Sequence, residues 1–166
     1  TQHKEDISKI QLELFDEIVE KLKERGIDWS PGPTPKAADL DVQLNHEFAQ
    51  VPSPDEDDVL PINEVVITAR VTNRGDETIY RLKGLTESEY FIYKDREFLF
   101  GKLAPGETVE RRVRARLPYF PHARNDLFEV KLSGESGTVI ETASGEILLS
   151  DAARPGFAYS AEIHSY

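Results

Sequence analysis

The residues best suited to bind a metal ion lie in the stretch SPDEDDVLPINE. Asp55, Glu56, Asp57 and Asp58 carry hard oxygen donors of the kind that calcium prefers. Consecutive carboxylates on an extended chain point in alternating directions, however, and their spacing differs from that of an EF-hand loop. We therefore favour a solvated acidic loop and keep a weak calcium site between strands as the alternative.

Three arginines alternate along a second charged stretch, VERRVRARL. Arg112, Arg114 and Arg116 would share one face of a strand whose other face carries apolar residues. Like charges on one face repel each other unless neighbouring carboxylates pair with them, and the chain has 31 acidic residues. The row is therefore either a solvent face with cross-strand ion pairs or a docking surface for an acidic partner.

A further candidate contact surface lies in LPYFPHARND. Pro118 and Pro121 favour a loop, and this loop carries the large side chains Tyr119, Phe120 and His122. Apolar side chains on a loop can mark a contact surface. The alternative is that the loop folds over the end of its own domain.

The stretch VTNRGDETIY contains Arg74-Gly75-Asp76, a tripeptide associated with cell adhesion. It lies between two apolar alternating segments, and Asn and Gly tolerate the positive φ of tight hairpin turns. We therefore predict a hairpin turn here rather than an adhesion signal.

Several classes of function have no support in the composition. The chain has no cysteine, its four histidines lack a paired ligand spacing, and no phosphate-binding loop or Ser-His-Asp order is present. We therefore predict no catalytic residue, no cofactor and no metal site of that kind, and expect a protein that is not an enzyme. A net charge of -11 makes nucleic acid a poor partner, and no segment is apolar enough to span a membrane.

An amphipathic helix is predicted within residues 1–27, from about residue 6 to residue 25. Asp6 could cap its start, and Gly26 with Ile27 could close its end in a Schellman motif. Because a lone helix of this length is marginal in water, its apolar stripe must pack on the domain, on an upstream domain or on a second copy. The stripe has three-four spacing and consists of Ile7, Ile10, Leu14, Phe15, Ile18, Val19 and Leu22.

A Pro- and Gly-rich linker at 28–38 separates this helix from a region of different periodicity. Apolar residues recur with period two from 39 to 150, as in Ile67, Ala69 and Val71, and turn-rich segments separate the runs. This pattern predicts a mainly β domain of about seven strands, an immunoglobulin-like antiparallel β-sandwich. The aromatic residues between Tyr90 and Phe100 are expected to fill the ends of its core. Residues 151–166 alternate weakly and could add an edge strand.

Several stretches together resemble one known family. GIDWSPGPTP, VTNRGDETIYRLKGLTES, REFLFGKLAPGETVERRV and RPGFAYS are similar to the C-terminal region of secreted S41 (carboxyl-terminal processing, or tail-specific) serine peptidases of the delta-proteobacterial type. In that family an immunoglobulin-like module follows the PDZ and protease domains. The resemblance extends from about residue 25 to the end of the chain.

The resemblance implies a non-catalytic accessory domain. The Ser nucleophile and the Lys that activates it would lie upstream, and the domain would serve interdomain docking, self-association through the helix or substrate positioning. Partners would be the upstream PDZ and protease domains or another protein, in an exported setting: the periplasm, the outer surface or the secreted fraction. Because the chain starts at Thr1 without Met, we also expect it to be part of something longer. The alternative function is an independent bacterial adhesion or carbohydrate-binding module.

Overall fold

The computed structural model describes residues 2–54, 60–118 and 122–150. These residues form one α-helix, seven β-strands and a short 3-10 helix. In chain order they are α1 (Gln2–Glu24), β1 (Leu40–Val51), β2 (Ile62–Asn73), β3 (Ile79–Ser88), the 3-10 helix (Phe91–Tyr93), β4 (Glu97–Leu103), β5 (Thr108–Arg116), β6 (Arg124–Ser133) and β7 (Val139–Leu149).

The strands form two antiparallel sheets. A three-stranded sheet has the order β1-β2-β5, and a four-stranded sheet has the order β4-β3-β6-β7. The predicted mainly β architecture with one preceding helix is therefore confirmed. Within the described part of the chain, no helix is both long enough and apolar enough to cross a membrane.

One hydrophobic core draws side chains from both sheets. Alternation along β2 and β6 places every second residue in it, for example Ile67 and Val130, which are fully buried. Each such side chain contributes about 1.5–3 kcal/mol to folding. Tyr93 and Phe98 also lie in the core as predicted, but Phe91 is 84% exposed. The prediction is wrong for Phe91 because its short 3-10 helix turns the next two residues inward and leaves Phe91 outside.

The Arg74-Gly75-Asp76 turn joins the two sheets. It leads from β2 to β3, which are not paired with each other, so the predicted hairpin is wrong. Neither Asn73 nor Gly75 has a positive φ. Asn73 is instead fully buried: its Nδ2 donates to the carbonyls of Glu77 (2.8 Å) and Leu103 (3.0 Å), and its Oδ1 accepts from the Gly75 N–H (3.0 Å). Side-chain hydrogen bonds therefore shape this turn.

The predicted end of α1 is confirmed and its predicted start is wrong. Gly26 has a φ of 75°, its N–H donates to the Lys23 carbonyl (2.9 Å), and the Ile27 N–H donates to the Leu22 carbonyl (2.9 Å). These two bonds define a Schellman motif. At the other end the helix includes Gln2, so Asp6 lies inside it and is not its cap. The reason is that the residues before Asp6 include good helix formers and no glycine or proline.

The linker after α1 contacts the four-stranded sheet through its backbone. The Lys102 N–H donates to the Asp28 carbonyl at 2.7 Å. Gly101, with a φ of 82°, allows this approach, since a Cβ at that position would lie 2.5 Å from the Asp28 oxygen. The linker therefore lies against β4.

Arg81 connects the helix, the linker and the sheet. It lies where the pairing of β3 with β4 shifts register, and it has a φ of 51°. Its Nε donates to the Trp29 carbonyl (3.1 Å), its Nη1 pairs with Glu135 (3.1 Å), and its guanidinium lies 4.6 Å from the centre of the Phe15 ring. Farther along the stripe, Leu14 and Ile18 remain exposed.

Candidate functional site

A pocket of about 640 Å³ lies at one end of the two sheets. The connection from β3 to β4, the end of β5 and the start of β6 meet there, because neighbouring strands of these sheets run in opposite directions. We call it the arginine pocket, after Arg96, Arg116 and Arg124. Its other lining residues are one acid and an apolar wall: Glu89, Tyr90, Phe91, Ile92, Leu117 and Pro118.

Thr86 holds the connection that forms the apolar wall. This residue is fully buried, its Oγ1 donates to the Tyr93 carbonyl, and the same oxygen accepts from the Arg96 N–H at 2.7 Å. Its backbone N–H and carbonyl bond to the Arg96 carbonyl (2.9 Å) and the Asp95 N–H (3.0 Å). The connection is thereby attached to β3 at four points, and Phe91 is displayed on a well-bonded loop.

Arg124 is held from two sides. Its Nε and Nη2 donate to the two oxygens of Asp126 at 2.6 and 3.2 Å, and its guanidinium lies 4.7 Å from the centre of the Tyr90 ring. Asp126 is fully buried, whereas Arg124 is partly exposed, and the hydrogen bond to Asp126 raises the pKa of Arg124. Arg124 is therefore a preorganised cation, because its rotamer is fixed before any ligand arrives.

Arg116 differs from the other two arginines of the pocket, because its side chain has no partner among residues 2–54, 60–118 and 122–150. Its register partner on β2 is Glu64, but the Glu64 carboxylate pairs with Arg114 at 2.9 Å. Among the described residues, the Arg116 side chain makes no hydrogen bond or ion pair, and it is exposed. All five of its N–H donors are therefore available to a ligand.

Arg96 supplies one more donor. Its Nε and Nη2 both donate to the Ile92 carbonyl, at 3.1 and 3.0 Å. Its Nη1 has no partner within the described ranges. Arg96 thus both stabilises the 3-10 helix and leaves a second charged N–H group at the pocket.

Tyr93 lies beneath the pocket, beside Asp126. Its hydroxyl is buried and makes no hydrogen bond of ordinary geometry within the described residues. Burial, and then the Asp126 carboxylate, raise the pKa of Tyr93 well above its ordinary value. The hydroxyl therefore stays protonated across the physiological range, and Tyr93 contributes packing rather than charge.

The other two arginines of the predicted row are ion-paired, but only Arg114 has the cross-strand partner that the solvent-face interpretation predicts, since the partner of Arg112 lies on the same strand. Arg112 lies 3.3 Å from Glu110, and Arg114 lies 2.9 Å from Glu64. The row therefore divides into two paired arginines on the outer face of the sheet and the unpaired Arg116 at its end.

Other predicted site residues are only partly described. His122 is exposed. Tyr119 and Phe120 lie outside the described residues. The acidic stretch Asp55–Asp58 also lies outside the described residues. In the described part of the chain, no group of three or more His, Cys, Asp or Glu side chains could hold a metal ion.

The Arg74-Gly75-Asp76 turn is partly engaged with its own domain. Arg74 pairs with Asp41 at 2.5 Å, and the N–H groups of Arg74 and Gly75 both donate to the Asp39 carbonyl, at 2.8 and 3.2 Å. Asp76 is exposed. Within the part of the chain that the structure describes, the acidic side chain of the tripeptide has no partner, whereas its arginine is paired.

Sequence reasoning identified Arg116 and missed Arg96 and Arg124. A signal for Arg124 was present, because Asp126 falls in phase with the apolar residues Phe128 and Val130 of β6. A carboxylate in the buried phase of a strand requires a cationic partner, and the arginine two residues earlier is the nearest one. Arg96 had no comparable signal.

No protein-family model and no curated protein match this chain. Two solved structures show a limited likeness. A putative ApaA protein from Bordetella pertussis is 20% identical, with 70% of this chain and 93% of that chain covered and a TM-score of 0.36. A second structural-genomics target is 14% identical, with 76% and 96% covered and a TM-score of 0.34. At these TM-scores the likeness carries no argument about fold or function.

Proposed function

We propose that this chain is a non-catalytic interaction domain that docks a segment of another protein, or of another domain of the same protein, in the arginine pocket. The observation that carries the proposal is the unpaired Arg116 beside an exposed aromatic wall, in a chain whose net charge is -11. An unpaired arginine and an exposed aromatic residue on one site are features enriched at protein interfaces.

We also propose that the two sheets form an immunoglobulin-like sandwich. Seven strands in two antiparallel sheets around a shared core support this, as do the crossings from one sheet to the other after β2, β4 and β5. In such sandwiches the connections gather at the two ends, and contact surfaces commonly form there. The arginine pocket is built from connections of this kind.

The parentage remains a proposal that rests on the sequence motifs alone. If the chain is the C-terminal region of an S41-type peptidase, the docked partner would be the upstream PDZ or protease domain, and the protein would be exported. A PDZ and an S41 protease domain encoded immediately upstream of Thr1 would support this parentage, and an unrelated upstream sequence would remove it.

Self-association through α1 also remains a prediction. Leu14 and Ile18 are exposed, which is compatible with a second copy or an upstream domain covering them. Removal of residues 1–27 should then lower the number of copies per particle, obtained by dividing the mass from light scattering by the mass of one chain. An unchanged number of copies and an unchanged thermal stability would contradict the prediction.

The alternative, an independent adhesion or carbohydrate-binding module, would bind through the Arg74-Gly75-Asp76 turn or through the stretch from Tyr119 to His122, of which the structure describes only His122. An adhesive tripeptide must offer both its charged side chains, and here Arg74 is paired with Asp41. Among the described residues, Arg116 of the arginine pocket has no partner whereas Arg74 of the turn has one, so we place the interaction at the pocket.

Selection from a phage library of randomised dodecapeptides tests the proposed function and does not require that the natural partner be identified. Clones enriched on the wild-type chain should lose binding to Arg116→Gln and keep it for Arg112→Gln. Arg112 is the matched control, since it lies on the same face of β5 and is paired with Glu110. If no clone is enriched, or if the clones bind Arg116→Gln as well as the wild type, the proposed function is wrong.

A further inference from the structure

We infer that the arginine pocket recognises a polypeptide segment in which one Asp or Glu side chain lies next to an aromatic residue. The inference rests on the proposed function and specifies the ligand of the same site. The carboxylate would bind Arg116, and the aromatic ring would pack against the wall that contains Phe91.

The availability of Arg116 points to a carboxylate. A guanidinium group with all its donors free can make two parallel hydrogen bonds to the two oxygens of a carboxylate, a geometry that a lysine cannot offer. Arg96 adds its free Nη1 at the same pocket. Arg124 already binds Asp126 in this two-point manner, so its Nε and Nη2 are occupied and the carboxylate of the ligand is assigned to Arg116.

The charge around the pocket limits how anionic the ligand can be. Glu89 lines the pocket, Asp126 lies beneath Arg124, and the whole chain carries -11. A dianionic phosphate or a run of acids would meet repulsion from these groups, whereas a single carboxylate needs only one free arginine. The ligand is therefore sparsely charged.

The wall of the pocket calls for an aromatic neighbour to that carboxylate. Phe91 is 84% exposed although the loop that carries it is bonded to Thr86 and Arg96. The Tyr90 ring is covered by the Arg124 guanidinium, which an aromatic ligand side chain can also contact. A flat ring fits such a surface, because an aromatic side chain that packs on another ring or on a guanidinium group gains more binding free energy than an aliphatic side chain in the same place.

The ligand group that we propose is a side-chain carboxylate within a polypeptide segment, not the carboxylate of a chain terminus. The described lining residues lie on the β3–β4 connection on one side and at the end of β5 and the start of β6 on the other, so a segment can cross between them and continue in both directions. A segment can also present an aromatic side chain and a side-chain carboxylate from two neighbouring residues. A single terminal residue presents both groups less readily.

Synthetic peptides test this inference. The parent is acetyl-Gly-Ser-Phe-Glu-Gly-Ser-amide, titrated into the ¹⁵N-labelled full chain, with Kd taken from the amide shifts of residues 89–96, 116 and 117. Replacement of its Glu by Gln, or of its Phe by Ala, should each raise Kd by about tenfold or more, because each removes one of the two contacts. Arg116→Gln should raise Kd by a similar factor, and Arg112→Gln should leave it within about twofold.

The inference is overturned if the Gln or Ala peptide binds as tightly as the parent. It is also overturned if a peptide with phosphoserine in place of Glu, or one whose only carboxylate is at its C-terminus, binds more tightly than the parent. The proposed function fails separately: phage clones that depend on Arg116 but lack an acidic residue beside an aromatic one would sink the inference and leave the docking function standing. If no clone depends on Arg116, both are wrong.

Discussion

Asn73 offers the sharpest test of how the two sheets are joined. This residue is fully buried, and its side chain makes three hydrogen bonds: to the Glu77 carbonyl, to the Leu103 carbonyl and from the Gly75 N–H. Asn73→Ala removes all three at once. Each is worth about 1 kcal/mol net, so the loss is about 3 kcal/mol before any cost of leaving the Leu103 carbonyl without this donor.

That loss should be visible in heat and in urea. For a chain of this size, 1 kcal/mol shifts Tm by about 2–4 °C, so Asn73→Ala should lower Tm by about 6–12 °C. The urea midpoint should fall with an unchanged slope, because the surface exposed on unfolding is nearly the same. Circular dichroism against temperature and against urea measures both.

The matched control is Asp76→Ala in the same turn. Asp76 is exposed and has no side-chain bond within the described residues, so its loss should change the free energy of unfolding by less than about 0.5 kcal/mol. A Tm for Asn73→Ala within about 2 °C of the wild type would refute the reasoning. So would a larger effect of Asp76→Ala than of Asn73→Ala.

Arg81, Gly101 and Tyr93 offer three further tests of the contacts that stabilise the fold. Arg81→Ala loses its bonds to the Trp29 carbonyl and to Glu135 and its contact with Phe15. The free energy of unfolding should fall by about 1–2 kcal/mol, and amide hydrogen exchange at the end of α1 should become faster. The control Arg70→Ala, on the exposed face of β2, should change neither quantity. Equal exchange in both variants would contradict the role of Arg81. Gly101→Ala should destabilise the chain more than Gly106→Ala. Both glycines have a positive φ, but only a Cβ at position 101 would meet a neighbour, the Asp28 oxygen at 2.5 Å. Equal Tm values for the two variants would show that the close contact between the linker and β4 does not require a glycine. Burial and Asp126 raise the pKa of Tyr93, so the protonated hydroxyl contributes its full stability below the unfolded pKa of about 10, and this contribution is lost as the pH rises above that value. Between about pH 9 and 11, Tyr93→Phe should therefore lose less stability than the wild type. Parallel plots of the free energy of unfolding against pH for the two proteins would refute this.

The sequence predicted the elements whose patterns are local. Alternation in β2, β5 and β6 marked strands, and Gly26 with Ile27 marked the end of α1, because both signals depend on neighbouring residues alone. The pairing of strands was less accessible. A turn between two strands looks the same in sequence whether the strands pair or pass to different sheets, and the Arg74-Gly75-Asp76 turn was therefore misassigned as a hairpin.

Polar residues in the apolar phase of a strand were the overlooked signal. Asn73 is the last inward-facing residue of β2, and Asp126 is the first fully buried residue of β6. Arg111 lies at an inward-facing position of β5, where its Nε donates to the Leu99 carbonyl of the other sheet at 2.8 Å. Asn73 and Arg111 have partners on other strands, and Asp126 is bonded to Arg124 on its own strand, as buried polar groups require. Arg96 could not be predicted this way, since its position depends on a loop wrapped around Thr86.

The central claim is that Arg116, and not its paired neighbours on the same strand, binds the carboxylate of a partner segment. The Nε–Hε resonances of the arginine side chains report this directly when the Phe-Glu peptide is added to the labelled chain. We expect a saturable shift of the Arg116 resonance while those of Arg112 and Arg114 stay in place. Equal shifts at all three, or a shift at Arg112 or Arg114 without one at Arg116, would contradict it.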